Sequence, residues 1–263
     1  MQIGISTASF FTKVATEDTF EYLKSFNSEV CEVFLSSFSE YEGELADKIV
    51  HNKSVDVYSV HTLTNQYEPE LFSLNPRAAS DSMDIFKKVL ATGQRLGAKC
   101  YTFHGATRLK KINYNFDYDR LGGIVNNLIE VAGSYGIDLS YETVHWAYFS
   151  EPAYFENLKK RCPDLKATLD IKQIMQAGGD YKDFLNVIGK DLTTVHLCDY
   201  DEERRLFIPG KGKFDFVQLF KRLLDNGFEG SCIMEVYPQG YQTFEQLKDS
   251  YDFLFDCYDK AKH

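Results

Sequence analysis

A chain of 263 residues that is 44% hydrophobic and 26% charged has the composition of an ordinary globular protein, which excludes a disordered or fibrous chain. A formal net charge of −10 and a pI of about 5.1 oppose general binding to duplex DNA or to an anionic membrane surface, and leave small molecules as the readier partners. No apolar stretch reaches the length of a membrane span, and residues 1–15 lack a basic start followed by an apolar run, so a cytoplasmic chain without anchor or signal peptide is expected.

Short runs rich in β-branched and aromatic residues begin at 2–6 and recur at 30–36, 55–61, 99–104, 137–142, 166–170, 192–199 and 231–237. Each is followed by a longer stretch with helical spacing, which is the pattern of parallel strands joined by crossover helices. The helices are clearest at 76–96, where Asn75 can cap and Pro76 fits the first turn, and at 215–226, where Gly227 suits the stop. Gly97 and Gly136 stand shortly before strands, as expected where a helix ends in a left-handed turn. No linker, low-complexity segment or charge block divides residues 1–263, and eight evenly spaced strands predict an α/β fold, a single closed (β/α)₈ TIM barrel.

In such a barrel the chemistry gathers at the C-terminal strand ends, where the loops are free of packing duties. Strand three ends in His61, strand four in His104, strand five in Glu142, strand six in Asp170 and strand seven in His196 and Asp199, while strand eight carries Glu235. A carboxylate among apolar neighbours, as Glu235 is in SCIMEVYP, is tolerated when it is paired or metal-bound, because an isolated buried charge is very costly. One such carboxylate reads as a cap or a salt bridge. Glu142, Asp170, His196 and Glu235 together read as a metal-binding group. His61 and His104 are expected to contact substrate or support the ligands, and His145 and Trp146 to shape the rim, where a sugar face would suit Trp146.

The PGKG segment at 209–212 invites a phosphate-loop reading but lacks the full GxxxxGK[ST] pattern, so a tight turn is preferred. Arg204, Arg205, Lys211 and Lys213 form a basic cluster near the mouth, from which Arg205 and Lys211 are candidates to meet a phosphate or carboxylate on a substrate. The cysteines, at 31, 100, 162, 198, 232 and 257, are scattered without a CxxC pair, so reduced and mostly buried thiols are expected, Cys198 included.

VHTL at His61, TFHG at His104, SYET at Glu142, TLD at Asp170, VHLCD at His196, PGKG and IMEVYP at Glu235 resemble, in order and strand placement, the xylose isomerase-like barrels, particularly the sugar phosphate isomerase/epimerase family. The resemblance implies one divalent metal held by Glu142, Asp170, His196 and Glu235, with Glu142 and Glu235 as the acid/base pair, and a family whose members are often dimers or tetramers. Three carboxylates and one imidazole suit Mn²⁺ or Mg²⁺, with Co²⁺ or Zn²⁺ as alternatives. Two departures stand out. Gln173 occupies the position where many members carry a histidine that contacts substrate or metal, and Arg204, Arg205 and Leu206 replace the Asp-x-His pair that the abasic-site endonucleases need for extra zinc ions. The expected activity is isomerisation or epimerisation of a sugar, keto-sugar or polyol, phosphorylated or not, by proton transfer through a metal-stabilised enediolate. The alternatives are dehydration of a keto-cyclitol and a metal-dependent nuclease acting on abasic DNA.

Overall fold

The structure is a computed structural model that describes residues 1–63, 66–108 and 115–263. Eight parallel strands, β1 (Gln2–Ser6), β2 (Val30–Leu35), β3 (Val57–Thr62), β4 (Cys100–Phe103), β5 (Asp138–Glu142), β6 (Lys166–Asp170), β7 (Leu192–Leu197) and β8 (Ser231–Met234), close into a barrel. Each pairs with its neighbours in sequence, and β8 closes on β1 through Ile3↔Cys232 and Gly4↔Ile233.

The outer ring contains α1 (Thr19–Ser25), α2 (Gly43–Asn52), α3 (Pro76–Leu96), α4 (Tyr118–Ser134), α5 (Pro152–Lys159), α6 (Ile171–Ala177), α7 (Tyr181–Ile188), α8 (Phe216–Asp225) and α9 (Phe244–Ala261). Their local signals agree with their bounds. The Asn75 side chain caps α3, which ends at a left-handed Gly97, and Asp215 caps α8 by accepting from the Gln218 N–H. In α8 the buried side chains Phe216, Leu219, Phe220 and Leu223 fall at helical spacing, and Phe216 and Phe220 meet the Phe253 and Tyr258 rings of α9. Full burial of each such side chain contributes about 1.5–3 kcal/mol.

Inside the barrel the period-two alternation of the strands produces polar layers rather than an apolar filling. Ser6, Glu32, Ser59, Thr102, Ser140, Thr168 and Thr194 are all fully buried. Two residues further along, the same inward rows of β3 to β7 present His61, His104, Glu142, Asp170 and His196 at the C-terminal end. The β2–β3 register shifts between Cys31 and Glu32, so that Glu32 pairs with Ser59.

Four strands, β2, β4, β7 and β8, end earlier than the sequence patterns suggest. The seventh run, expected to extend to residue 199, breaks at Leu197, and Asp199–Tyr200 pairs antiparallel with Leu206–Phe207 in a small hairpin above the barrel. All six cysteines are buried free thiols, and Cys198 packs beneath that hairpin with Sγ 3.4 Å from the Phe207 carbonyl. Among the described residues no helix is long and apolar enough to cross a membrane.

Candidate metal centre

Glu142, Asp170, His196 and Glu235 come from four consecutive strand ends and converge. One ligand atom from each lies within 4.8 Å of all the others, and all four residues are buried. The imidazole of His196 is the middle of the group: its Nδ1 is 3.0 Å from Glu142 Oε1, 3.3 Å from Glu235 Oε2 and 3.7 Å from Asp170 Oδ2. Asp170 does two things at once. Its Oδ1 accepts the Gln173 N–H and caps α6, which turns Oδ2 towards the other three residues.

The residues fit a divalent cation on an observation of their own. Glu142 Oε2 and Asp170 Oδ2 are fully buried and accept no hydrogen bond, although His104 Nε2 lies 3.2 Å from the first and Lys172 Nζ 3.5 Å from the second. Buried carboxylate oxygens without a donor are expensive, and a cation shared among them removes that penalty. Three hard oxygen donors and one imidazole nitrogen match Mn²⁺, Mg²⁺, Co²⁺ or Zn²⁺ better than a thiolate-preferring ion.

Beneath the group lies Glu32, a residue that sequence reasoning did not single out. Its Oε1 accepts from Ser6 Oγ at 3.1 Å, and its Oε2 from Ser59 Oγ at 2.8 Å and Thr102 Oγ1 at 2.9 Å. The same carboxylate meets His61 Nδ1 at 3.2 Å and His196 Nε2 at 3.1 Å. Burial alone would raise its pKa, but the His196 and His61 imidazoles beside it hold the carboxyl well below the usual range. An acceptor on Nε2 places the proton of a neutral His196 there and leaves Nδ1 free as a ligand, the arrangement by which a carboxylate orients a metal-bound histidine.

A second buried carboxylate does the same for His104. Glu68, in a 3₁₀ turn at Glu68–Phe72, accepts from the His104 and Gly105 backbone N–H groups at 2.9 and 3.1 Å, sits 3.2 Å from His104 Nδ1, and bonds the Tyr101 hydroxyl. His104 Nε2 then meets His61 Nε2 at 2.8 Å. With Glu142 these two histidines form another group whose ligand atoms are mutually within reach, as do Glu32, His61 and Glu235. Burial opposes a charge on His61, but Glu32 and its neighbours raise its pKa to about 9.

The remaining expected residues separate clearly. Trp146 is half-buried and stacks on His104 with ring centroids 5.8 Å apart, so it stands at the rim beside the histidine pair. Gln173 is turned away into a bond with His145, whose Nδ1 is 2.6 Å from Gln173 Oε1. Arg205 is exposed and ion-paired within the hairpin to Asp201 and Glu203, and Lys211 is exposed in the turn. The structure therefore brings neither cation to the converging residues.

The PGKG segment is a tight turn closed on a carboxylate: Asp199 Oδ2 accepts the Gly210 and Gly212 N–H groups, both at 2.9 Å, and Oδ1 accepts that of Phe214 at 2.9 Å. The N–H groups that a phosphate would need are occupied by Asp199, and a Cβ on Gly212 would lie 2.3 Å from Asp199 Oδ1. A cavity of about 510 Å³ opens between α6, α7 and the hairpin, but no residue of the tetrad lines it.

Among curated proteins, this chain is 24% identical over 181 residues to fructoselysine 3-epimerase of Escherichia coli O157:H7, a match that covers 66% of this chain and 65% of that protein. Its fold is similar to the solved structure of L-ribulose 3-epimerase, with a TM-score of 0.81 at 16% identity over 99% of this chain and 95% of that one. It is also similar to that of the IOLI protein with a zinc atom, with a TM-score of 0.80 at 16% identity over 99% of both chains. The family model of the xylose isomerase-like TIM barrel matches residues 18–257, and the chain belongs to that family.

Proposed function

We propose that the protein is a divalent-metal-dependent epimerase or isomerase of a small sugar, with a ketose altered at the carbon next to its carbonyl as the first substrate class to test. The observation that carries this reading is the convergence of two facing carboxylates, Glu142 and Glu235, on one imidazole nitrogen, with buried oxygens left over for a cation. The names of fructoselysine 3-epimerase and L-ribulose 3-epimerase point to the same position on a ketose.

A divalent ion held by Glu142, Asp170, His196 and Glu235 would supply Lewis acidity, which makes the C–H next to a substrate carbonyl acidic enough to remove. The chain's own groups account for the rest. One glutamate takes the proton from one face of the carbon. Return from the facing glutamate inverts that carbon, whereas return to the neighbouring carbon isomerises the sugar. The exposed part of Trp146, which stacks on His104, offers an apolar surface to a sugar face.

The test is exchange in D₂O. Ketoses such as fructose, tagatose, ribulose and fructoselysine are incubated with protein that has been stripped by a chelator and reloaded with Mn²⁺, and loss of the C3 proton is followed by NMR. Exchange with inversion at C3 is expected, and Glu142→Gln or Glu235→Gln should slow it by about 10²- to 10⁴-fold. Exchange unchanged in both variants would remove the two glutamates from the reaction. Elimination of water in place of inversion would move the protein to the dehydratases.

A further inference from the structure

The proton transfers proposed above make no use of Lys172, yet its ammonium reaches into the same group of carboxylates. Lys172 stands in the first turn of α6, two residues after Asp170, and is only 4% exposed. Its Nζ is 3.0 Å from Glu235 Oε2 and 3.5 Å from Asp170 Oδ2. Those are the two oxygens that also face His196 Nδ1, at 3.3 and 3.7 Å. The ammonium therefore borders the space that a ligated cation would occupy. The Tyr237 ring adds a face 4.8 Å from Nζ.

Two consequences follow from placing a fixed monovalent cation there. The three carboxylates of the tetrad are balanced by a divalent ion together with Lys172, so the loaded site is neutral. The ammonium must also repel that ion. An ion bonded to Glu235 Oε2 at about 2.0–2.6 Å lies no further from Nζ than about 5.6 Å, because Nζ is 3.0 Å from that oxygen. At that separation in a partly buried site, charge repulsion is strong.

We propose that Lys172 is a positioning residue of the metal centre: it holds the Glu235 and Asp170 carboxylates in place and weakens the site's grip on its divalent ion, keeping the ion exchangeable. The proposal rests on reading the tetrad as a divalent-ion site.

Isothermal titration of Mn²⁺ into chelator-stripped wild type, Lys172→Met and Lys172→Arg tests it, alongside thermal melting of the stripped proteins. Lys172→Met should bind Mn²⁺ at least about tenfold tighter, because the repelling charge is gone, while its stripped form melts below wild type because the carboxylates have lost a partner. Lys172→Arg keeps the charge and should keep the wild-type affinity. A lysine that serves only as packing would produce the opposite result, since a loosened site binds the ion more weakly. Equal or weaker Mn²⁺ binding by Lys172→Met therefore overturns the proposal. If that variant does not fold, Lys172→Gln removes the charge while keeping a polar head, and is read by the same criterion. Wild type that binds no Mn²⁺ overturns this proposal and the proposed function together. Wild type that binds Mn²⁺ but exchanges no sugar proton overturns only the function, and the affinity ratio still decides the role of Lys172.

Discussion

Replacing Glu32 by glutamine tests how far the metal centre depends on a residue that would not itself touch the ion. The substitution keeps the shape but removes the charge, and it sets an NH₂ group in place of one oxygen, either against the Ser6 hydroxyl and the His61 ring or against the hydroxyls of Ser59 and Thr102 and the His196 ring. The hydroxyls can turn to accept, but an imidazole N–H cannot. Bonds to a charged acceptor contribute about 1.5–3 kcal/mol each, and breaking a buried pair on one side costs about 3–5 kcal/mol. At about 2–4 °C per kcal/mol for a chain of this size, the melting temperature should fall on the order of 10 °C. Loss of the carboxylate that orients a ligand histidine should also weaken divalent-ion binding by about 10- to 100-fold. Calorimetric melting and Mn²⁺ titration measure the two effects separately. A lower melting temperature with unchanged ion affinity would refute the orienting role, leaving Glu32 as a structural acceptor alone.

The buried histidines make the chelated protein sensitive to base. His61 has a folded pKa of about 9, above its ordinary value, so the folded state holds a proton that the unfolded chain has released. Its contribution is therefore complete below pH ~6.5 and is lost as pH rises towards about 9. Melting of EDTA-treated protein from pH 6 to 9.5 should show that decline, and a flat or rising profile would contradict the Glu32–His61 pairing. Gly105→Ala is expected to cost about 3 kcal/mol or more, because Gly105 has φ +76° and a Cβ there would lie 1.9 Å from the hydroxyl of the fully buried Tyr141. Urea denaturation measures it, and a loss below about 1 kcal/mol would mean that the segment after β4 yields easily.

The barrel was legible because its signals are local. Strand alternation, the Asn75 cap with Pro76, and the glycine at residue 97 act over a few neighbours, and they gave α3 its observed bounds. The tetrad was legible for a related reason: Glu142, Asp170 and Glu235 each end or follow an apolar run, and a charge there calls for a partner. Glu32 sends the same signal from inside VCEVFL, but its partners stand 26 to 164 residues away on other strands, so spacing along the chain says nothing of them. Glu68 lies in a connection between β3 and α3, and its reach to His104 depends on how that connection folds back. Lys172 follows Asp170 so closely that it reads as an ordinary helix-start residue until the orientation of α6 is known. Arg205 and Lys211 illustrate the converse. They are close in sequence to the strand-seven residues, but the hairpin pairs Arg205 with Asp201 and Glu203 and leaves Lys211 in solvent.

The account stands most directly on where a divalent ion binds. Crystals of protein loaded with Mn²⁺, measured by anomalous diffraction, should show one ion per chain bonded to Glu142, Asp170, His196 and Glu235. An ion held instead by His61, His104 and Glu142, or no anomalous peak in the barrel mouth at saturating Mn²⁺, would contradict it.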